Sequence, residues 1–117
     1  MTFLQRTDGT MLADDVELAK GLFKMSMGLM FRKSIGQNYA MIFDLHHEQY
    51  IGIHMLFVPF YIDLIYLDQE KRVIDIKHQL RPWIGIAYPK KPARYAIELK
   101  SGTAARLELK DGDLLEW

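Results

Sequence analysis

The chain has 117 residues, half of them hydrophobic, and its 15 Lys and Arg balance 15 Asp and Glu to a formal net charge of zero. That length and apolar content predict one domain over residues 1–117 with a core of its own. The absence of cysteine excludes disulfides, thiolate metal sites and cysteine nucleophiles, and an N-terminus without the apolar run of a signal peptide reads as a soluble cytoplasmic protein.

In chain order, Asp8-Gly9 separates two short stretches with apolar residues. It predicts a hairpin, because glycine tolerates the positive φ of a tight turn. The second arm can run through Val16 and Leu18, or Asp14 can cap a helix beginning there; the pattern leaves both open. Phe23, Met27 and Met30 recur at helical spacing, with Gly28 placed to end the helix. The methionines there read as adaptable core packing.

Residues 38–45, "NYAMIFDL", are apolar on both faces and predict a central, covered strand. "YIGIHML" alternates as a further strand, which Pro59 ends. "YIDLIYLD" has the strongest β-propensity of the chain, with Tyr61, Asp63, Ile65 and Leu67 on one face. "RVIDIKHQL" alternates so that Val73, Asp75, Lys77 and Gln79 form a wet face. Three prolines and a glycine in residues 81–92 predict a long surface loop. "ARYAIELK" returns to strand, "SGTAARLEL" suits one or two helical turns starting at Ser101, and "KDGDLLEW" closes on a turn and a short strand. The sum is an α+β domain of mainly antiparallel β-structure, expected as a barrel-like closed sheet with one or two short helices.

Four segments occurring in this order, "GLMFRKS", "HMLFVPFYIDLIYLD", "KPARYAIELKSG" and "KDGD", resemble the bacterial and archaeal family catalogued as domain of unknown function 192. The resemblance covers roughly residues 10–116. It implies that Asp15–Ala19 is a strand and that the helix starts near Gly21. The family usually has an aromatic residue followed by Met-Lys-Asn where this chain reads His54-Met55-Leu56-Phe57, so His54 replaces an aromatic and Leu56 a lysine. It implies an order of motifs rather than an activity.

The candidate site is polar chemistry set among apolar strands. An ionised Asp63 on a buried face needs a partner, and Arg32, whose guanidinium forks onto carboxylates, is the first choice, with a backbone amide second. Arg32, His54, Asp63, Lys91 and Glu98 are the expected ligand-binding residues, converging with the loop 81–93 on a small anionic or sugar-like ligand. The leading expectation is therefore a ligand-binding or interaction module. The alternative is an enzyme with Asp63 or Glu98 as general acid/base and Arg32 binding an anionic group. A second alternative is nucleic-acid binding through residues 71–110, where ten Lys and Arg face three Asp and Glu; the bases are scattered rather than clustered, so nucleic acid is disfavoured. No metal or cofactor is expected, since His46–Glu48 and the other two histidines show no ligand spacing. No Ser sits in a nucleophile elbow and no glycine-rich phosphate loop is present. No membrane partner is expected, because the richest apolar run is broken by His54, Pro59 and Asp63.

Overall fold

The computed structural model describes residues 3–19 and 28–117. The expected helix over Phe23 and Met27 falls on residues outside these; Gly28, expected at its end, has φ +50°.

Ten strands and one short helix make up the described chain. The main sheet is five-stranded, in the order β3 (Asp15–Ala19), β4 (Tyr39–Gln49), β9 (Ala93–Lys100), β6 (Ile62–Leu67), β7 (Val73–Leu80). Every neighbour pair is antiparallel except β3–β4, which is parallel. Asp15–Ala19 is thus the strand the family pattern implied. Among the described residues no pairing joins β3 to β7, so the strand order is that of an open mixed sheet and does not by itself form a barrel.

The two faces of this sheet carry separate cores, because successive side chains on a strand alternate sides. Tyr39, Met41, Phe43, Leu64, Tyr66 and Ala96 belong to one core, together with Leu29, Met55 and Val58. Ala40, Ile42, Ile65, Leu67, Ile97 and Leu99 belong to the other, together with Leu4, Leu12, Ala104 and Leu115. This is why β6 is buried along its whole length and why β4 reads as apolar on both faces. The second core is covered by the three-stranded sheet of β10 (Leu115–Glu116), β1 (Leu4–Arg6) and β2 (Met11–Ala13). Helix α1 (Thr103–Arg106) also packs there, through Ala104. The hairpin at Asp8-Gly9 is β1–β2, with Gly9 at φ +93°. Its second arm is Met11–Ala13; Val16 and Leu18 lie on β3 instead, beyond a bend where the N–H groups of Asp14 and Asp15 both bond the Asn38 carbonyl.

The first core is covered by the turn 28–32 and by residues 51–61 and 81–88. The expected long loop 81–92 contains β8 (Ile86–Ala87), which pairs with β5 (Ile53–His54). The Tyr66 hydroxyl lies 3.1 Å from the Ile51 carbonyl and 3.2 Å from that of Ala87. It pins this layer to the sheet, and burial pushes its pKa up. His46 and Glu48 lie on a bulged extension of β4: register shifts between Asp44 and Gln49, and His46 takes φ +70° while its N–H bonds Asp44. Among the described residues no group of three His, Cys, Asp or Glu is placed to hold a metal ion, and no helix is long and apolar enough to cross a membrane.

Candidate functional site

The sheet divides the expected site. β9 pairs Leu99 with Asp63 and Glu98 with Leu64, so the carboxyl groups of Asp63 and Glu98 point to opposite faces. Asp63 is fully buried on the second core's side. Its Oδ1 accepts the Gln79 N–H at 3.0 Å and its Oδ2 the Ala104 N–H at 2.9 Å. Gln79 sits at φ +52° where register between β6 and β7 shifts, and Ala104 lies in the first turn of α1, whose N-cap Gly102 offers no side-chain bond. Asp63 therefore satisfies a bulge and a helix start at once. The expected Arg32–Asp63 pair is absent because Arg32 is on the other face; the second-choice partner, a backbone amide, is the one found. Both Asp63 oxygens are thus engaged by the main chain.

Arg32 follows a turn closed by its own N–H to the Leu29 carbonyl. Its guanidinium donates to Glu17 Oε1 at 2.8 Å and to the Tyr39 hydroxyl at 3.0 Å, and the hydroxyl donates to the same Glu17 oxygen at 2.7 Å. This cluster ties the turn to β3 and β4, with Arg32 engaged by Glu17 and Tyr39. Burial, with the bond to Glu17 adding to it, raises the Tyr39 pKa.

Glu98 is buried in the middle of the first core's face, and among the described residues its Oε1 has no hydrogen-bond partner. Burial pushes its pKa up to about 7, with the Arg32 charge pulling the other way. The turn lies directly over it: a methyl group on Gly28 would stand 3.6 Å from Glu98 Oε1 and 3.4 Å from Phe43 Cζ. Orphaned buried polar atoms are scarce in native proteins and call for a specific reason.

His54 and Lys91 do not join this group. His54 is exposed on β5, and its Nδ1 accepts the Leu56 N–H at 3.2 Å, a local turn bond. Lys91 lines a separate cleft of about 680 Å³ with Glu48, Asp68, Arg72, Lys90 and Asp111. The positive balance of residues 71–110 is also broken up. Lys77 pairs with Asp75, Lys90 with Asp111, Arg94 with Asp44 and Lys110 with Asp113. Folding brings the carboxylates of other segments onto the basic stretch. Asp75 itself is buried rather than on a wet face, and accepts the Lys90 N–H at 3.0 Å.

Sequence reasoning missed an aromatic platform beside Arg32. Phe31 stacks on Phe57 with ring centroids 4.9 Å apart, and Phe57 meets Trp83 edge-on at 5.6 Å. All three rings are exposed. All three residues hold positive φ, at 68°, 62° and 67°, a conformation that costs roughly 1–2 kcal/mol for a residue with a Cβ. The segments are held by main-chain bonds: Phe31 N–H to the Phe57 carbonyl, Trp83 N–H to those of Met55 and Val58, and Met55 N–H to that of Gly85. Nothing in hydrophobic periodicity signals positive φ at an aromatic residue. Gly85 is required by close approach, since a Cβ there would lie 2.7 Å from the Arg81 carbonyl oxygen and 2.9 Å from Met55 Cγ. Gly85→Ala is expected to destabilise the protein by about 1–3 kcal/mol through overpacking, read as a lowered thermal midpoint. An unchanged midpoint would show that the 81–85 turn is not tightly seated.

Together these features define a class: a small α+β domain with an open mixed sheet, a buried orphan carboxyl on one face and a structural aspartate on the other. The chain belongs to the family of domain of unknown function 192, described as "Uncharacterized ACR", whose model matches residues 3–117. A protein of Pyrococcus furiosus named as a UPF0127 protein is 38% identical over 97% of this chain and 96% of its own length. A crystal structure of a protein of unknown function from Novosphingobium aromaticivorans is similar with a TM-score of 0.82 at 30% identity, covering 87% of this chain and 74% of the other. A second, from Sinorhizobium meliloti and put forward as a transcription regulator, gives 0.86 at 27% identity over 97% and 89%.

Proposed function

We propose that this protein is a small-ligand-binding module whose site lies on the Glu98 face, next to the turn 28–32. The observation that carries the reading is the Glu98 carboxyl, buried and with Oε1 unpartnered among the described residues. Leaving such a group without a bond costs about 1–3 kcal/mol, which core packing alone would avoid by using a leucine. A ligand hydroxyl or amino group supplies the missing bond, which favours a sugar-like ligand over an anionic one, since Arg32 is already engaged by Glu17.

The test is a thermal-shift screen with polyols, sugars and amino sugars, run on the wild type and on Glu98→Leu. At least one ligand should raise the wild-type midpoint in a dose-dependent way, and the shift should vanish in a Glu98→Leu protein that is as stable as the wild type or more so. A panel with no wild-type shift, or one unchanged in the variant, overturns the reading. A second reading, an enzyme with Glu98 as general acid/base, is favoured by the burial of its carboxyl, which raises its pKa toward neutrality, where proton transfer is efficient.

A further inference from the structure

We infer that the face carrying Phe31, Phe57 and Trp83 docks peripherally onto an anionic lipid surface, its rings entering the headgroup boundary. The inference is independent of the Glu98 site.

Three observations carry it. First, the platform protrudes: Ile84 is 71% exposed, Phe31 66% and Trp83 50%, with Leu56 and Phe57 exposed beside them in the chain. Aliphatic Leu56 and Ile84 offer nothing to a stacked base or a sugar ring, but partition into an acyl boundary, where aromatic rings also concentrate. Second, these segments carry bases and no acids. Residues 28–35, 50–61 and 81–88 contain none of the chain's 15 Asp and Glu; Arg32 among them is paired with Glu17 of β3, so Lys33 and Arg81 are the bases the face offers. Lys33 and Arg81 are exposed, placed to meet lipid phosphate. Third, most of the backbone N–H groups at the tips are already bonded. The N–H groups of Phe31, Leu56, Val58, Trp83, Ile84 and Gly85 all have partners within the protein. Entering a low-dielectric boundary then strips few unpaired donors of water. A contact of this kind crosses no bilayer.

Trp83 reports on the contact directly. The chain has two tryptophans, so Trp117→Phe leaves Trp83 as the sole tryptophan, excited selectively at wavelengths tyrosine does not absorb. Adding phosphatidylcholine vesicles that contain phosphatidylserine should shift its emission to the blue and co-sediment the protein; raised salt should weaken both, and pure phosphatidylcholine should give little of either. Phe31→Asn with Phe57→Asn puts a residue that tolerates positive φ at both sites, so the fold is retained while vesicle partitioning falls by about tenfold or more. No shift with anionic vesicles overturns the inference, as does undiminished binding of the double variant. So does a chain that sediments as a dimer with Trp83 already blue-shifted, which would assign the face to a second copy, or a response to single-stranded oligonucleotide alone.

Discussion

Asp63→Ala is expected to lower the stability of the protein by about 3 kcal/mol, because it orphans one buried and one part-buried N–H group at roughly 1–3 kcal/mol each. The donors are those of Gln79 and Ala104, and they belong to different elements, so a β-bulge and a helix start loosen together. A domain of this size holds roughly 5–15 kcal/mol in total, and a urea dependence of about 1–3 kcal/mol per molar turns the loss into a midpoint lowered by about 1–3 M. Asp63→Asn keeps the volume and one acceptor but turns an amide N–H toward the second donor, so its loss should be intermediate. Asp75→Ala is the informative partner. Its carboxylate pairs with Lys77 at 3.0 Å and holds one main-chain N–H, that of Lys90. Lys77 can turn to water, so the cost should be about 1–2 kcal/mol: measurable, but below that of Asp63. Equal effects near zero for both would show that neither acid is buried as described.

Glu98 is expected to make the protein less stable as pH rises across neutrality. Its folded pKa is raised from the ordinary 4.5 to about 7, so between those values the folded state holds a proton that the unfolded state has lost. Stability from this group is complete below about pH 4.5, falls as pH rises, and levels off above pH 7. At about 1.4 kcal/mol per pKa unit, the loss amounts to roughly 3 kcal/mol. Carboxyls held low act in the opposite sense and in more acid solution; Asp44, lowered by its hydrogen bond to Arg94, is one. The difference between the wild type and Glu98→Gln isolates the slope, since the amide does not titrate. Denaturant unfolding of both from pH 4 to pH 9 should give curves that separate through the neutral range, with the variant the more stable at the alkaline end. Parallel curves would place Glu98 in contact with water or with a partner.

The sequence by itself determined the strands of the central sheet other than β3, which the family resemblance implied, together with the Asp8-Gly9 turn, a short helix after Ser101 and the family. These rest on period-2 alternation, on glycine's freedom in a turn and on motif order, all local along the chain. It also singled out Asp63 and Glu98 as acids that an apolar strand must account for. Only the tertiary structure decided what each does. The register that sets Asp63 against Leu99 and Glu98 against Leu64 sends them to opposite sides of the sheet, and alternation within one strand carries no information about register with another. For the same reason Asp75, polar in a polar-looking row, ends up buried beneath the segment that bears Lys90. The parallel strand β3, the neutralised basic stretch and the aromatic platform likewise depend on segments far apart in sequence meeting. The positive φ of Phe31, Phe57 and Trp83 runs against local preference, so local pattern reading was bound to miss it. Such strain persists only where main-chain bonds from three separate segments over-determine the conformation.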